Sequence, residues 1–118
     1  MVNREIVVVL RDGPLNSGRD EEGLRVAIGL TLANPQVTVL LLDQAVWLSV
    51  PLAVAEIERP SLGTNWETLG LMGIRRLSER ESLIERGLDP TEVLAGVEVV
   101  SRAEAAGVLA EADVVLVY

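Results

Sequence analysis

Apolar residues in this chain gather into short continuous runs that alternate with segments of helical periodicity. A run of consecutive, mostly β-branched apolar residues is typical of a strand buried on both faces of a parallel sheet. We predict strands from four such runs and from Ile74–Leu77, a weaker candidate because it holds two arginines. The four runs are Ile6–Leu10, Val37–Leu42, Val97–Val100 and Asp113–Tyr118, and we expect Ile6–Leu10, Val37–Leu42 and Val114–Val117 to be buried.

Start signals for helices stand between the predicted strands. Ser17 and Asp20 form a capping box for the first helix, whose apolar stripe would pack on the sheet. Asp43 is placed to cap a second helix running from Gln44 to Val54, which Pro51 kinks or interrupts. The apolar stripe of the first helix is Leu24, Ala27, Ile28, Thr31 and Leu32, and the later start signals are Thr64 with Glu67, Ser78 with Glu81, Asp89 with Pro90 and Ser101 with Glu104.

Predicted strands and helices alternate from one end of the chain to the other. This order is typical of a parallel α/β fold in which helices cover both faces of the sheet. We therefore predict a three-layer α/β/α sandwich with a five-stranded parallel sheet, or a four-stranded one if Ile74–Leu77 is not a strand. At 118 residues, we expect one domain spanning residues 1–118.

The charge of the chain and the length of its apolar segments argue against several partners. The net charge is −8 and the isoelectric point is about 4.5, so nucleic acids and anionic membranes, which are polyanions, are disfavoured. The longest apolar stretch, Ala45–Ile57, is too short to span a bilayer. The first strand is too short to be a signal-peptide core. We expect a cytoplasmic protein that binds neither nucleic acid nor membrane.

Several residue types on which catalysis often depends are missing from the sequence. It contains no Cys and no His, and all ten basic residues are Arg. Thiolate chemistry, imidazole catalysis and Schiff-base lysines are excluded with them. Carboxylates, hydroxyls and guanidinium groups remain. This composition favours a protein without catalytic activity, and we predict no catalytic residue, no metal site and no cofactor.

The loop after the first strand is the candidate ligand site. It lies between a strand and a helix N-terminus, where backbone amides can hold a phosphate or nucleotide, and its glycine spacing does not fit a dinucleotide motif. A plain crossover loop is the commoner outcome for such a segment, and we favour it. Asp43, at the end of the second strand, has the position of a ribose-binding acid, although a helix cap explains it equally well and is the explanation we favour. The candidate ligand-binding residues are Gly13, Asn16, Ser17, Gly18, Arg19 and Asp43.

A dense run of charged residues follows Leu77. Its carboxylates could be paired for acid–base chemistry. A solvated helix face is the commoner outcome for such a run, and we favour it. The run consists of Glu79, Arg80, Glu81, Glu85 and Arg86.

Four segments together resemble the DsrE/DsrF-like family of small sulfur-relay proteins, which includes the TusBCD-type subunits. They are Arg19–Leu24, Leu41–Val46, Ser82–Leu88 and Val99–Leu116. The closing half is most similar to the DsrF/TusC branch. The resemblance is weakest between residues 50 and 73.

The resemblance implies a five-stranded parallel sheet, assembly into trimers or hexamers and, in the active members, a persulfide-carrying cysteine near the third strand. The corresponding segment here is Ser78, Glu79 and Arg80, and it holds no Cys. The resemblance therefore implies a non-catalytic accessory or structural subunit, acting with itself or with cysteine-bearing DsrE-type relatives. A small-molecule or anion-binding protein that uses the loop after the first strand is the alternative.

The apolar surface of the segment Ala45–Ile57 also predicts association. It is apolar on more than one helical face, and one sheet cannot cover all of it. We expect a homo-oligomer, and the expectation of a trimer or hexamer comes from the resemblance alone. The interface candidates are Trp47, Leu48, Val50, Leu52, Val54, Ile57 and Trp66.

Overall fold

A computed structural model describes residues 4–13, 19–33, 36–51 and 60–118, the last range with backbone alone at 60–64. The strands are β1 (Ile6–Leu10), β2 (Val37–Leu41), β3 (Arg75–Glu79), β4 (Val97–Val100) and β5 (Val114–Val117). The α-helices are α1 (Arg19–Ala33), α2 (Pro60–Leu71), α3 (Arg80–Glu85) and α4 (Arg102–Glu111). Two 3-10 helices are Asp43–Ser49 and Pro90–Glu92.

The sheet has the order β4-β3-β2-β1-β5, and all neighbouring strands are parallel. This confirms the predicted five-stranded parallel α/β fold, including the third strand, which begins at Arg75 rather than Ile74 and continues to Glu79. From β1 the chain adds β2, β3 and β4 on one side, whereas β5 is added on the other. The direction in which strands are added therefore reverses between β1 and β5.

Helices cover the two faces of the sheet unequally. On one face, α1 and α2 contact each other and join the first 3-10 helix in a large apolar core that contains Val8, Leu10 and Leu41. On the other face, a smaller cluster joins Val7 and Val9 to side chains of α4. The main core of the described chain therefore lies on the first face of the sheet.

The edge strand β5 is less buried than the sequence predicts. Val115 pairs with Val7 and Val117 pairs with Val9, so these valines lie on the thinly covered face. Their exposed fractions are 42% and 59%. The prediction that Val114–Val117 is buried is wrong, because an edge strand has only one neighbour and α4 does not cover this part of the face.

The first helix spans Arg19–Ala33, in the region where the sequence predicts it. Leu24 and Ala27 are fully buried, which confirms the start of the apolar stripe. Leu32 is 83% exposed, so the prediction is wrong at the C-terminal turn, where the helix presents this side chain to solvent. Ser17, half of the predicted capping box, lies outside the described residues.

Three predicted helix starts are corrected by the structure. Leu42, not Asp43, is the N-cap of the first 3-10 helix, and it makes no side-chain capping bond. Helix α2 begins at Pro60 rather than at Thr64, since proline suits the first turn, where its missing N–H has no intrahelical partner. Ser78 lies inside β3, and Glu79 precedes α3 instead.

Two other predicted starts are confirmed. The Asp89 carboxylate accepts a 2.9 Å hydrogen bond from the Thr91 N–H before the second 3-10 helix. Ser101 and Glu104 exchange the two bonds of a capping box at the start of α4. In both segments the local spacing of polar residues was sufficient for the prediction.

Candidate functional site

A cavity of about 220 Å³ opens where the C-terminal ends of β1, β2 and β5 meet. This is the place where the strand order reverses, and in open parallel sheets such a crevice is the usual ligand site. The cavity is lined by Arg11, Asp12, Arg19, Asp43, Val117 and Tyr118.

Two ion pairs balance the charges of this cavity. Arg11 Nε lies 3.0 Å from Asp43 Oδ2, and Arg19 Nε lies 3.9 Å from Asp12 Oδ2. All four side chains keep substantial solvent exposure, so a ligand can reach them. Because each cation faces an anion, the cavity offers both donors and acceptors instead of one uniform charge.

Two of the residues predicted for a ligand site, Arg19 and Asp43, line this one cavity. Gly13 is buried in the loop that leaves β1, and Asn16, Ser17 and Gly18 lie outside the described residues. The sequence reasoning missed the cavity residues Arg11, Asp12, Val117 and Tyr118. Their position in the sequence could have indicated the cavity, because each of these residues ends or follows a predicted parallel strand, and the C-terminal ends of parallel strands lie at one edge of the sheet.

Asp43 has a backbone conformation that is rare for a residue with a side chain. Its φ angle is +52°, in the left-handed region, which Asp tolerates better than most residues. The Asp43 N–H donates a 3.0 Å hydrogen bond to Ser82 Oγ on α3, while the carboxylate pairs with Arg11. The prediction that Asp43 caps a helix is therefore wrong, because its side chain bonds outward across the strand ends.

The segment Ser78–Arg80 lies at the end of β3 and is largely enclosed. Ser78 is fully buried, and its Oγ lies 3.1 Å from Ser49 Oγ. The Ser49 hydroxyl donates to the Val46 carbonyl oxygen at 2.6 Å, so Ser78 is the donor between the two serines. Arg80 is exposed at the first position of α3.

Glu79 is a buried carboxylate with two hydrogen-bond donors. Only 6% of the residue is exposed. Its Oε1 accepts a 2.6 Å bond from Ser82 Oγ and a 3.2 Å bond from Arg102 Nη2 on α4. Because Ser82 Oγ also accepts the Asp43 N–H, a continuous chain of hydrogen bonds joins the cavity to Glu79 and Arg102.

Arg102 contacts all three acidic residues of the predicted charge run, Glu79, Glu81 and Glu85. Its Nη2 lies 3.2 Å from both Glu79 and Glu85, and these hydrogen bonds raise the pKa of Arg102, with Glu79 contributing most. The Arg102 N–H donates to the Glu81 carboxylate, which is the main reason that the pKa of Glu81 is lowered. The favoured reading of a solvated helix face is therefore wrong for Glu79, which ends a buried strand.

The interface candidates are only partly available for contact with another subunit. Leu48, Val50 and Trp66 are buried in the main core, which corrects the prediction, because the 3-10 helix and α2 turn these side chains toward the sheet. Trp47 is partly buried against the same core. Leu52, Val54 and Ile57 lie outside the described residues.

The described residues contain neither a cluster of metal ligands nor a membrane-spanning helix. No group of three or more His, Cys, Asp or Glu side chains there is arranged to hold a metal ion. Within the same residues, every helix is too short or too polar to cross a bilayer.

The parallel order, the reversal beside β1 and the polar cavity at the strand ends define a small α/β protein of the sandwich class. A family model for the DsrE/DsrF-like family matches residues 4–118. The chain therefore belongs to the DsrE/DsrF-like family, as the resemblance of its segments indicates.

Solved structures share the fold at low sequence identity. The crystal structure of the YchN protein from E. coli superposes with a TM-score of 0.83 at 23% identity, covering 98% of this chain and 99% of that one. The protein of unknown function MTH1491 from Methanobacterium thermoautotrophicum gives a TM-score of 0.71 at 16% identity, with 99% and 100% covered. At these identities the likeness shows the fold alone. No curated protein sequence matches significantly.

Proposed function

We propose that this chain is a DsrE/DsrF-like subunit that serves sulfur relay as an accessory or structural component and does not carry a persulfide. The observation that carries the proposal is the chemistry of Ser78–Arg80, the segment that corresponds to the cysteine site. It holds a buried serine and a buried, hydrogen-bonded glutamate but no thiol.

A persulfide requires a nucleophilic sulfur, and this chain has none. Its only sulfur atoms are the thioethers of Met1 and Met72. A thioether cannot form a thiolate, and a serine hydroxyl lacks the acidity of a thiol. The Glu79 carboxylate, held by Ser82 and Arg102, adds negative charge and would oppose a second anion at this position.

Labelling with radioactive sulfur from a cysteine desulfurase tests this proposal. We expect the wild-type chain to retain no label after incubation and denaturing separation. The Arg80→Cys variant is the matched control, because it adds one exposed thiol to the same segment. Labelled Arg80→Cys beside unlabelled wild type supports the proposal, whereas stable labelling of the wild-type chain contradicts it.

The subunit role also requires association, and we propose a cytoplasmic homo-oligomer, a trimer or hexamer, that can also bind cysteine-bearing relatives. The thinly covered sheet face supports this proposal, because Val115 and Val117 stay exposed beside the buried Val7 and Val9. Burying apolar area of this kind contributes about 25 cal/mol per Å² toward association.

Light scattering at micromolar concentration tests association. We expect a mass three or six times the monomer mass of 12.7 kDa for the wild type. Val117→Glu should lower the mass, since a charge would be buried without a partner in the contact. Leu32→Glu is the control, because Leu32 is exposed on α1, which covers the opposite face of the sheet. A monomeric wild type contradicts the proposal.

A second candidate function is binding of a small polar ligand in the cavity between β1, β2 and β5. The cavity supports it through its position at the reversal of strand order and through its two ion pairs. Such a ligand would carry both hydrogen-bond acceptors and donors. Mass spectrometry of the protein purified from native cells tests this candidate: a bound compound lost in Arg11→Gln supports it, and retention in that variant contradicts it.

A further inference from the structure

Arg76 is a buried arginine near the N-terminal end of β3. Only 9% of the residue is exposed, and it lies on the same sheet face as the main core. The guanidinium carbon is 5.1 Å from the centre of the Trp66 ring, which is itself buried on α2. The guanidinium therefore lies over an aromatic face, which attracts the cation but accepts no hydrogen bond in the plane of the group.

Within the described residues, Arg76 makes no hydrogen bond and no ion pair. Its Nε is fully enclosed and has no acceptor. Arg75, the preceding residue, shows the contrast, because its guanidinium makes two 3.2 Å bonds to Glu98 while staying exposed. Of these two neighbouring arginines, the buried Arg76 is therefore the one that no carboxylate contacts among the described residues.

Two glycines flank the guanidinium and keep side chains away from it. A Cβ at Gly70 would lie 3.4 Å from Arg76 Nη2, and a Cβ at Gly96 would clash with the same nitrogen. Gly96 also has a φ angle of +87°, which favours glycine independently. The enclosed Nε blocks a side-on approach, so Nη1 and Nη2 form the edge of the group that remains for a partner.

A buried cation without a partner is unfavourable in a folded protein. Arginine is almost never deeply buried unless it is paired, and stacking on tryptophan offsets only part of the lost hydration. Burial lowers the pKa of Arg76, which reflects this same loss of solvent. The arrangement is therefore one that gains stability when an acceptor binds to the guanidinium.

We propose that Arg76 is the receptor for a carboxylate, which binds end-on to Nη1 and Nη2 beside the Trp66 ring. The planar fork of a guanidinium matches the two oxygens of a carboxylate and can form two parallel hydrogen bonds. The carboxylate comes either from a free small acid or from an Asp or Glu side chain of a second copy, and the chain has 18 such residues. This proposal is independent of the proposed sulfur-relay role.

Fluorescence of Trp66 reports directly on the proposed site. Trp47→Phe leaves Trp66 as the only tryptophan, since the chain contains two. In this background we expect sodium acetate to give a saturable change that sodium chloride at equal ionic strength does not give. Adding Arg76→Gln should weaken the acetate response at least about tenfold, whereas Arg75→Gln, at the neighbouring exposed arginine, should preserve it.

Arg76→Lys is a second test variant, which keeps the test decisive when Arg76→Gln does not fold. Lysine keeps the positive charge but presents a point charge instead of a planar fork. We expect it to retain the wild-type circular dichroism spectrum and to bind acetate about tenfold more weakly. An acetate response equal to that of the wild type in a folded Arg76→Lys or Arg76→Gln variant overturns the proposal of end-on carboxylate recognition.

Sedimentation velocity separates the two sources of the carboxylate. A wild-type oligomer that dissociates in Arg76→Gln or on addition of acetate, but persists in Arg75→Gln, places the carboxylate on a second copy. Saturable acetate binding at unchanged mass indicates a free acid. The proposal is overturned when Arg76 variants change neither the acetate response nor the mass, or when Arg75→Gln has the same effects as Arg76→Gln.

Discussion

The hydroxyl of Ser82 donates a 2.6 Å hydrogen bond to Glu79 Oε1, and this contact joins the end of β3 to the first turn of α3. The same oxygen accepts the N–H of Asp43, whose carboxylate faces the cavity at the strand ends. One buried hydroxyl thus connects the cavity to Ser78–Arg80, the segment for which the family resemblance predicts the cysteine site. The two candidate sites share a structural support.

Ser82→Ala should lower the free energy of unfolding by about 1–3 kcal/mol, because it leaves the Asp43 N–H without an acceptor and removes one of the two hydrogen bonds of the buried Glu79 carboxylate. Urea denaturation measures the loss. Thr91→Ala is the control, since it removes a hydroxyl from the exposed surface, where the change should stay within about 0.5 kcal/mol. Equal losses in the two variants would contradict the structural role of Ser82.

Replacing the two carboxylates that share Arg102 should have unequal effects. Glu79→Gln removes a buried charge-assisted bond and should cost about 1.5–3 kcal/mol. Glu85→Gln removes an exposed ion pair and should cost no more than about 0.5 kcal/mol. Thermal unfolding of both variants at pH 7 compares them. A larger effect at Glu85 would show that burial does not control the strength of these contacts.

Acid should weaken the junction between α3 and α4. The pKa of Glu81 is lowered in the folded chain, mainly because its carboxylate accepts the Arg102 N–H. A lowered pKa adds stability that is complete well above the unfolded value, about 4.3, and is lost as the pH falls through the folded value. The contribution of Glu81 should therefore disappear as the pH falls below about 4.3.

Melting temperatures from pH 7 to pH 3 test this effect. Glu81→Gln removes the titrating group and should flatten the acid side of the curve relative to the wild type. Glu67→Gln, at an exposed position on α2, is the control and should leave the shape of the curve unchanged. A wild-type slope that persists in Glu81→Gln would assign the acid sensitivity to other groups.

The strands could be predicted because their signals are local. Runs such as Ile6–Leu10 are apolar at every position and need no knowledge of distant residues. β3 is the weakest prediction because this inner strand buries Arg76, Ser78 and Glu79. Ser78 and Glu79 are satisfied by Ser49 and Arg102, which are distant in sequence. The strand order involves pairing between distant segments, which no local pattern encodes.

Only two of the six residues that line the candidate site could be predicted, for the same reason. The sequence marks Asp43 as a polar residue at the end of a strand, but its partner Arg11 is 32 residues away in sequence. A helix cap was the local explanation for Asp43, and it is wrong because parallel strands bring Arg11 within 3.0 Å. The local charge run favours a solvated face for Glu79, because it does not show that Arg102, 23 residues further along the chain, is one of the two donors to this carboxylate.

Gly96→Ala should destabilise the chain by about 1–3 kcal/mol, because the residue has a φ angle of +87° and its new methyl group would meet Arg76 Nη2. Gly107→Ala is the matched control, since a Cβ there has open space and alanine favours the helix interior. That variant should gain up to about 1 kcal/mol. Urea denaturation compares both variants with the wild type. Equal stability of Gly96→Ala and the wild type would contradict the left-handed turn before β4 and the close approach of Arg76 to it.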